Sequence, residues 1–186
     1  MTTEAVLIVG AGPTGLTLAC ELARRGVPFR LIEDGPGPQP GSRGKGVQPR
    51  TLEVFGDLGI VDRVVAHGRM AMPIRSTGPD GRVTVSGTEP IGDHPGIPYP
   101  ASLITPEWRV EEALRLRLAE LGGAVEFGTV LVGFEQSDEG VSATVVSDGV
   151  PGRSARTGWS AATAGTASSV RGPVSRSWGR PARRYG

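Results

Sequence analysis

Residues 6–33, VLIVGAGPTGLTLACELARRGVPFRLIE, restrict what this chain can fold into more tightly than any other segment. The apolar run at 6–9 predicts a buried strand that enters the glycine turn Gly10-Ala11-Gly12-Pro13-Thr14-Gly15. Leu16, Ala19, Leu22 and Ala23 then recur at helical spacing, Gly26 ends the helix, and a second apolar run leads to Glu33. This is the order of a strand–turn–helix–strand unit that binds the ADP half of a dinucleotide. Gly10 permits the tight turn, and Gly12 lets backbone approach a pyrophosphate where a Cβ would collide. Gly15 lets the helix pack close to the strand. The helix start, at Pro13 and Thr14, offers unpaired N–H groups from Thr14 onward and a positive dipole end to phosphates. Glu33 ends the second strand, where a carboxylate accepts hydrogen bonds from the adenosine ribose and repels a 2′-phosphate. A glycine loop closing an ordinary βαβ unit shares the turn but does not require the correctly spaced acid.

At 186 residues the chain has room for one domain, or one domain and a fragment. No apolar run reaches the length of a membrane span, and the N-terminus enters the first strand without a signal peptide. The single Cys20 excludes an internal disulfide framework and suits a reducing cytoplasm. Its place on the first helix marks it as a small packing residue. There is no Cys/His cluster, so no metal site is expected. His67 and His94 lack a sequence partner that would make either a general base, and no catalytic residue is assigned. The net charge of +1 hides an asymmetry, because residues 151–186 hold seven arginines and no acid. A basic arm of this kind is one signature of nucleic-acid binding.

The rest of the chain alternates breakers with periodic segments. A Gly/Pro-rich loop, 34–41, precedes a glycine-spaced segment, 42–48, that contains the only lysine, Lys45. Thr51, Leu52, Val54, Phe55 and Leu58 predict a helix closing at Gly59, with a second short helix over 61–66. Two alternating runs flank Pro79-Asp80-Gly81 and predict a hairpin over 74–85. A short strand is expected at 102–104. Pro106 then opens a helix that stops at Gly122-Gly123. A strand at 124–127 and a hairpin of 130–134 with 141–146 complete the pattern. The fold class is therefore α/β, a Rossmann-like nucleotide-binding domain with an inserted β-meander.

Three stretches of this chain resemble the FAD-dependent aromatic hydroxylases, the class A flavoprotein monooxygenases related to p-hydroxybenzoate hydroxylase, in their aromatic-polyketide and phenol branch. They are GAGPTGLTLACELARRGVPFRLIE, SRGKGVQPRTLEVFGDLGIVDRV and TPEWRVEEALRLRLAELGGAVEFGTVLVGFEQSDEGVSATV. The second is the most diagnostic, because few Rossmann proteins follow the glycine turn with Ser-Arg-Gly and a Gln-x-Arg-Thr-Leu-Glu helix. A plain NAD-dependent Rossmann oxidoreductase shares only the first stretch, as would a non-catalytic nucleotide-binding fragment. The resemblance implies FAD as cofactor, NADPH or NADH as reductant, and a small aromatic substrate hydroxylated with O₂ at the reduced flavin. It implies that Gly10, Gly12, Pro13, Thr14 and Gly15 bracket the pyrophosphate and that Glu33, with the adjoining Asp34, holds the ribose. Arg43 would reach the flavin-side phosphate or the ribityl chain, where a fixed guanidinium suits an anion; a solvated loop charge is the alternative. Glu107 stands where the family often has a cofactor-contacting Gln, and a carboxylate cannot donate as an amide can. Leu131 stands where relatives contact adenine through backbone groups, a role compatible with a place in the strand core.

The resemblance runs to about Val146 and then stops. A second FAD segment carrying an Asp-Gly pair is expected after the meander, and residues 151–186 hold no such segment. Residues 151–186 instead contain no Leu, Ile, Phe, Asp, Glu or Lys. Joining the last base of each codon to the first two of the next, codon degeneracy across residues 158–170 permits Leu-Val-Gly-x-Asp-Gly-x-x-Ser-x-Val-Arg, the missing segment in its expected place. The sequence thus predicts an incomplete FAD-binding domain at residues 1–150. It predicts an out-of-frame, disordered basic tail at 151–186, with a frame change between about Asp148 and Ser154 and no nucleic-acid or membrane partner.

Overall fold

Strand β1 (Val6–Val9) is buried on both faces, which is why its sequence is an unbroken apolar run rather than an alternation. The computed structural model describes residues 6–39, 41, 44–70, 72–87, 95–137, 140–147, 150–156 and 159–161. Helix α1 (Pro13–Ala23) follows β1 and returns the chain to β2 (Phe29–Ile32), which pairs parallel to β1 with Val9 opposite Ile32. Next come β3 (Gly46–Val47), α2 (Pro49–Asp57) and α3 (Val61–Val65). Strand β4 (Arg69–Met70) leads to the hairpin β5 (Ile74–Thr77) and β6 (Val83–Ser86), then to β7 (Leu103–Ile104). Helix α4 (Glu107–Glu120) begins one residue later than expected, with Pro106 as its cap, and is followed by β8 (Val125–Glu126). The meander is β9 (Thr129–Ser137), β10 (Gly140–Ser147) and β11 (Val150–Arg156), after which β12 (Trp159–Ala161) closes the described chain.

Among the described residues the central sheet is parallel, with order β12-β1-β2-β8. Period-two alternation sends its side chains to two different layers. Ile8 and Leu31 join Leu16, Ala19, Leu114 and Leu118 on the side of α1 and α4. Leu7 and Ile32 join Leu131, Ala143 and Val145 of the meander on the other side. Leu7, Ile8, Leu31 and Ile32 are each at most 1% exposed, so each contributes roughly 1.5–3 kcal/mol of burial. The Rossmann-like layers and the inserted meander are as the sequence predicts. A smaller antiparallel sheet, β3-β7-β4, carries the segment after the Gly/Pro-rich loop, while the strand residues of the β5–β6 hairpin are all exposed.

The expectation that regular structure stops near residue 151 is corrected for residues 150–156 and 159–161. Strand β11 pairs antiparallel with β10 from Ser147↔Val150 to Val141↔Arg156, and β12 pairs parallel with β1 from Leu7↔Trp159 to Val9↔Ala161. Backbone hydrogen bonding fixes both ladders, and it needs no particular side-chain pattern. Pro151 stands in β11, an edge strand of its sheet among the described residues, where proline is tolerated. Residues 162–186, including the rest of the tail expected to be disordered, lie outside the described residues, as does His94.

Cys20 is fully buried between α1 and α4, where its thiol donates to the Leu114 carbonyl at 3.5 Å. Burial pushes the thiol up to about 11, partly offset by the nearby Arg117 guanidinium. The thiol should therefore resist a thiol reagent at pH 8 in the folded chain and react fully in denaturant. Because the folded value is raised, its neutral form supports stability below the ordinary value of 9.0 and loses that support as pH rises toward 11. Rapid labelling of the native chain at pH 8 would contradict this placement.

Candidate functional site

The glycine turn and Glu33 meet at the carboxyl edge of the parallel sheet, the edge at which open α/β sheets bind ligands. Gly10 has φ 101°, a conformation that strains any side chain, and its N–H donates to the Ile32 carbonyl at 2.8 Å. Helix α1 then starts with Gly12 at its cap position and Pro13 in its first turn, without any side-chain cap. The first intrahelical bond runs from Leu16 N–H to the Gly12 carbonyl at 3.0 Å, so Thr14 and Gly15 keep amides with no helical partner. Thr14 is exposed, and Gly12 and Pro13 are half-buried. These free amides at a helix N-terminus suit the pyrophosphate of a dinucleotide.

Gly15 is required by space rather than by dihedral angle. A Cβ built there would lie 2.0 Å from the Gly10 carbonyl oxygen, a backbone atom that cannot turn aside. Gly12, in contrast, has φ −74° and ψ −178°, extended backbone open to any residue. The backbone conformation at position 12 therefore makes no demand for glycine of its own.

Glu33 is half-buried and fixed by the backbone around it. One carboxylate oxygen accepts the Ala11 N–H at 2.8 Å, and the other accepts the Gly35 N–H at 3.1 Å. The Glu33 N–H donates to the Glu126 carbonyl at 2.9 Å, and its own carbonyl accepts from Thr129 N–H at 3.0 Å. The amides of Ala11 and Gly35 are partners that the sequence pattern does not reveal, because nothing in a backbone N–H depends on residue type. Asp34 is exposed beside this cluster.

The other predicted residues fall in different places. Leu131 is buried in the core shared by the meander and the parallel sheet, opposite Val145 at a bulge in the β9–β10 ladder. Glu107, at the start of α4, accepts the Gly44 N–H at 2.9 Å. It prolongs the β3–β7 ladder by a side-chain rung, following the bond from Thr105 N–H to the Lys45 carbonyl at 2.9 Å. That contact needs only an acceptor, so a carboxylate serves it as well as an amide. Arg43 lies outside the described residues. A cavity of about 370 Å³, lined by Val27, Phe29, Arg30, Gly123 and Glu126 among others, opens at the amino edge of the same sheet. The glycine turn and the N-terminus of α1 are not part of its lining and lie at the opposite edge. Among the described residues no cluster of His, Cys, Asp and Glu is suited to a metal, and no helix is long and apolar enough to cross a membrane.

Comparison with known proteins shows the family. A family described as the FAD binding domain matches residues 3–180. A flavin-dependent monooxygenase of Mycobacteroides abscessus is 47% identical over 152 residues, covering 78% of this chain and 32% of its own. The 6-methylpretetramide 4-monooxygenase of Streptomyces rimosus is 42% identical over 144 residues, covering 77% and 26%. The crystal structure of the flavin-dependent monooxygenase PieE in complex with FAD and substrate superposes with a TM-score of 0.71 at 31% identity, covering 85% of this chain and 30% of that one. The chain thus spans about a quarter to a third of the length of the relatives it matches.

The close approach of α1 to its own turn is directly testable. Gly15→Ala should destabilise the fold by about 3 kcal/mol or more, since backbone must move to admit the methyl. In thermal denaturation this corresponds to a loss of about 6–12 °C for a chain of this size. A variant that melts with the parent would contradict the packing described.

Proposed function

We infer that this chain, which belongs to the FAD binding domain family, is the FAD-binding part of a monooxygenase that hydroxylates an aromatic substrate of phenolic or polyketide type. The observation that carries the reading is the conjunction, at one sheet edge, of unpaired amides at the start of α1 with the Glu33 carboxylate at the end of β2. Amides of the turn and of Thr14 and Gly15 bind the pyrophosphate, and Glu33 accepts the ribose hydroxyls. Bound FAD supplies the oxygen chemistry: NADPH or NADH provides the electrons, one oxygen atom enters the ring, and the other leaves as water. The chain's residues supply position and electrostatics, and its relatives' names support an aromatic small molecule as substrate.

We also propose that the coding frame is broken between about Asp148 and Ser154. The shifted reading permits Leu-Val-Gly over codons 158–161, and β12 at Trp159–Ala161 occupies the edge of the parallel sheet beside β1. A segment carrying Asp-Gly would then leave that strand at the same carboxyl edge as the glycine turn, near the cofactor. The chain as given lacks that segment after the meander and so should separate binding from turnover.

FAD titration of the purified chain, followed by flavin fluorescence, should show saturable binding that Gly12→Val abolishes. With NADPH or NADH and a panel of phenols and polycyclic quinones, the 186-residue chain should form no hydroxylated product, and the frame-restored protein should. Undiminished FAD affinity in Gly12→Val, or failure of the frame-restored protein to bind FAD, would overturn the reading.

A further inference from the structure

We propose that Glu33 acts on the nucleotide in a second way, as the residue that holds the phosphate-binding turn in shape. The proposal deepens the FAD-domain reading and rests on it. An ionised carboxylate offers about four acceptor positions. Two are taken by the N–H groups of Ala11 and Gly35, at 2.8 and 3.1 Å, which leaves one position on each oxygen for a ribose hydroxyl. Ala11 lies between the two glycines of the turn, and only 8% of it is exposed. Its neighbour Gly10 donates to the Ile32 carbonyl, so two consecutive amides of the turn are anchored to the end of β2, one through backbone and one through the Glu33 side chain. Anchoring both leaves the following amides, from Gly12 onward, for the ligand.

The same carboxylate reaches a third segment through Gly35, whose carbonyl accepts from Gly128 N–H at 2.9 Å. Glu33 therefore couples the glycine turn, the loop after β2 and the start of the meander. These contacts set a demand that ribose binding alone does not. A ribose hydroxyl both donates and accepts, so a glutamine could serve it. Two backbone N–H groups require two acceptors, and a glutamine would turn its own NH₂ toward one of them. Aspartate falls short by one methylene.

The test compares ADP with 2′,3′-dideoxy-ADP, which lacks the ribose hydroxyls, by calorimetry on the full chain and on Glu33→Ala and Glu33→Gln. Both substitutions should weaken dideoxy-ADP on the order of tenfold, the effect of a lost hydrogen bond to a charged acceptor. Amide exchange at Ala11, followed by NMR without ligand, should accelerate in both variants. Unchanged dideoxy-ADP affinity, unchanged exchange at Ala11, or a fully competent Glu33→Gln would overturn the proposal and leave Glu33 a ribose ligand alone. A parent chain that binds neither ADP nor FAD would instead overturn the FAD-domain reading, with the exchange measurement still deciding whether Glu33 holds the turn.

Discussion

Helix α1 touches the turn from which it springs so closely that position 15 has no room for a side chain, with only 2.0 Å between a would-be Cβ and the Gly10 oxygen. The rest of the molecule is arranged around that contact. It lets Leu16, Ala19 and Cys20 reach the core formed with α4, which covers one face of β1 and β2. It also places the open end of the helix at the carboxyl edge of the sheet, beside Glu33. Packing and nucleotide chemistry thus make the same demand on one residue, and a change at Gly15 would disturb both.

The segments with strong periodicity were legible in the sequence. The unbroken apolar run of β1 and the apolar end of β2 at Leu31 and Ile32 required burial on both faces, and the structure supplies helices on one side and the meander on the other. Helices α2, α3 and α4 lie within a residue or two of the expected bounds, because Pro49, Gly59, Pro106 and Gly122 punctuate them. The short strands β3 and β4 were not legible. Two residues carry no period, and their pairing with β7 depends on tertiary backbone contacts. The partners of Glu33 and Glu107 were hidden for the same reason, since each accepts from a main-chain N–H whose residue type is immaterial.

Strand β12 is the instructive exception. Its composition gave no strand signal, yet its backbone pairs with β1 along the edge that the parallel sheet leaves open. A slot beside a buried strand presents unpaired N–H and C=O groups, and any nearby extended segment gains by satisfying them. Geometry at this position is set by β1, whereas the chemistry depends on which residues the coding frame delivers to it. Under the proposed frame change, the strand pairing at β12 persists while the cofactor contacts beyond it are lost.

The central claim is that the dinucleotide is held where the glycine turn and Glu33 meet. Titrating FAD into isotope-labelled chain and mapping the backbone amide shifts tests it most directly. The account predicts that the largest changes fall on Gly10 to Gly15, excluding Pro13, and on Glu33 to Gly35. Changes concentrated instead around Val27, Phe29 and Gly123, at the cavity on the amino edge of the sheet, would contradict it.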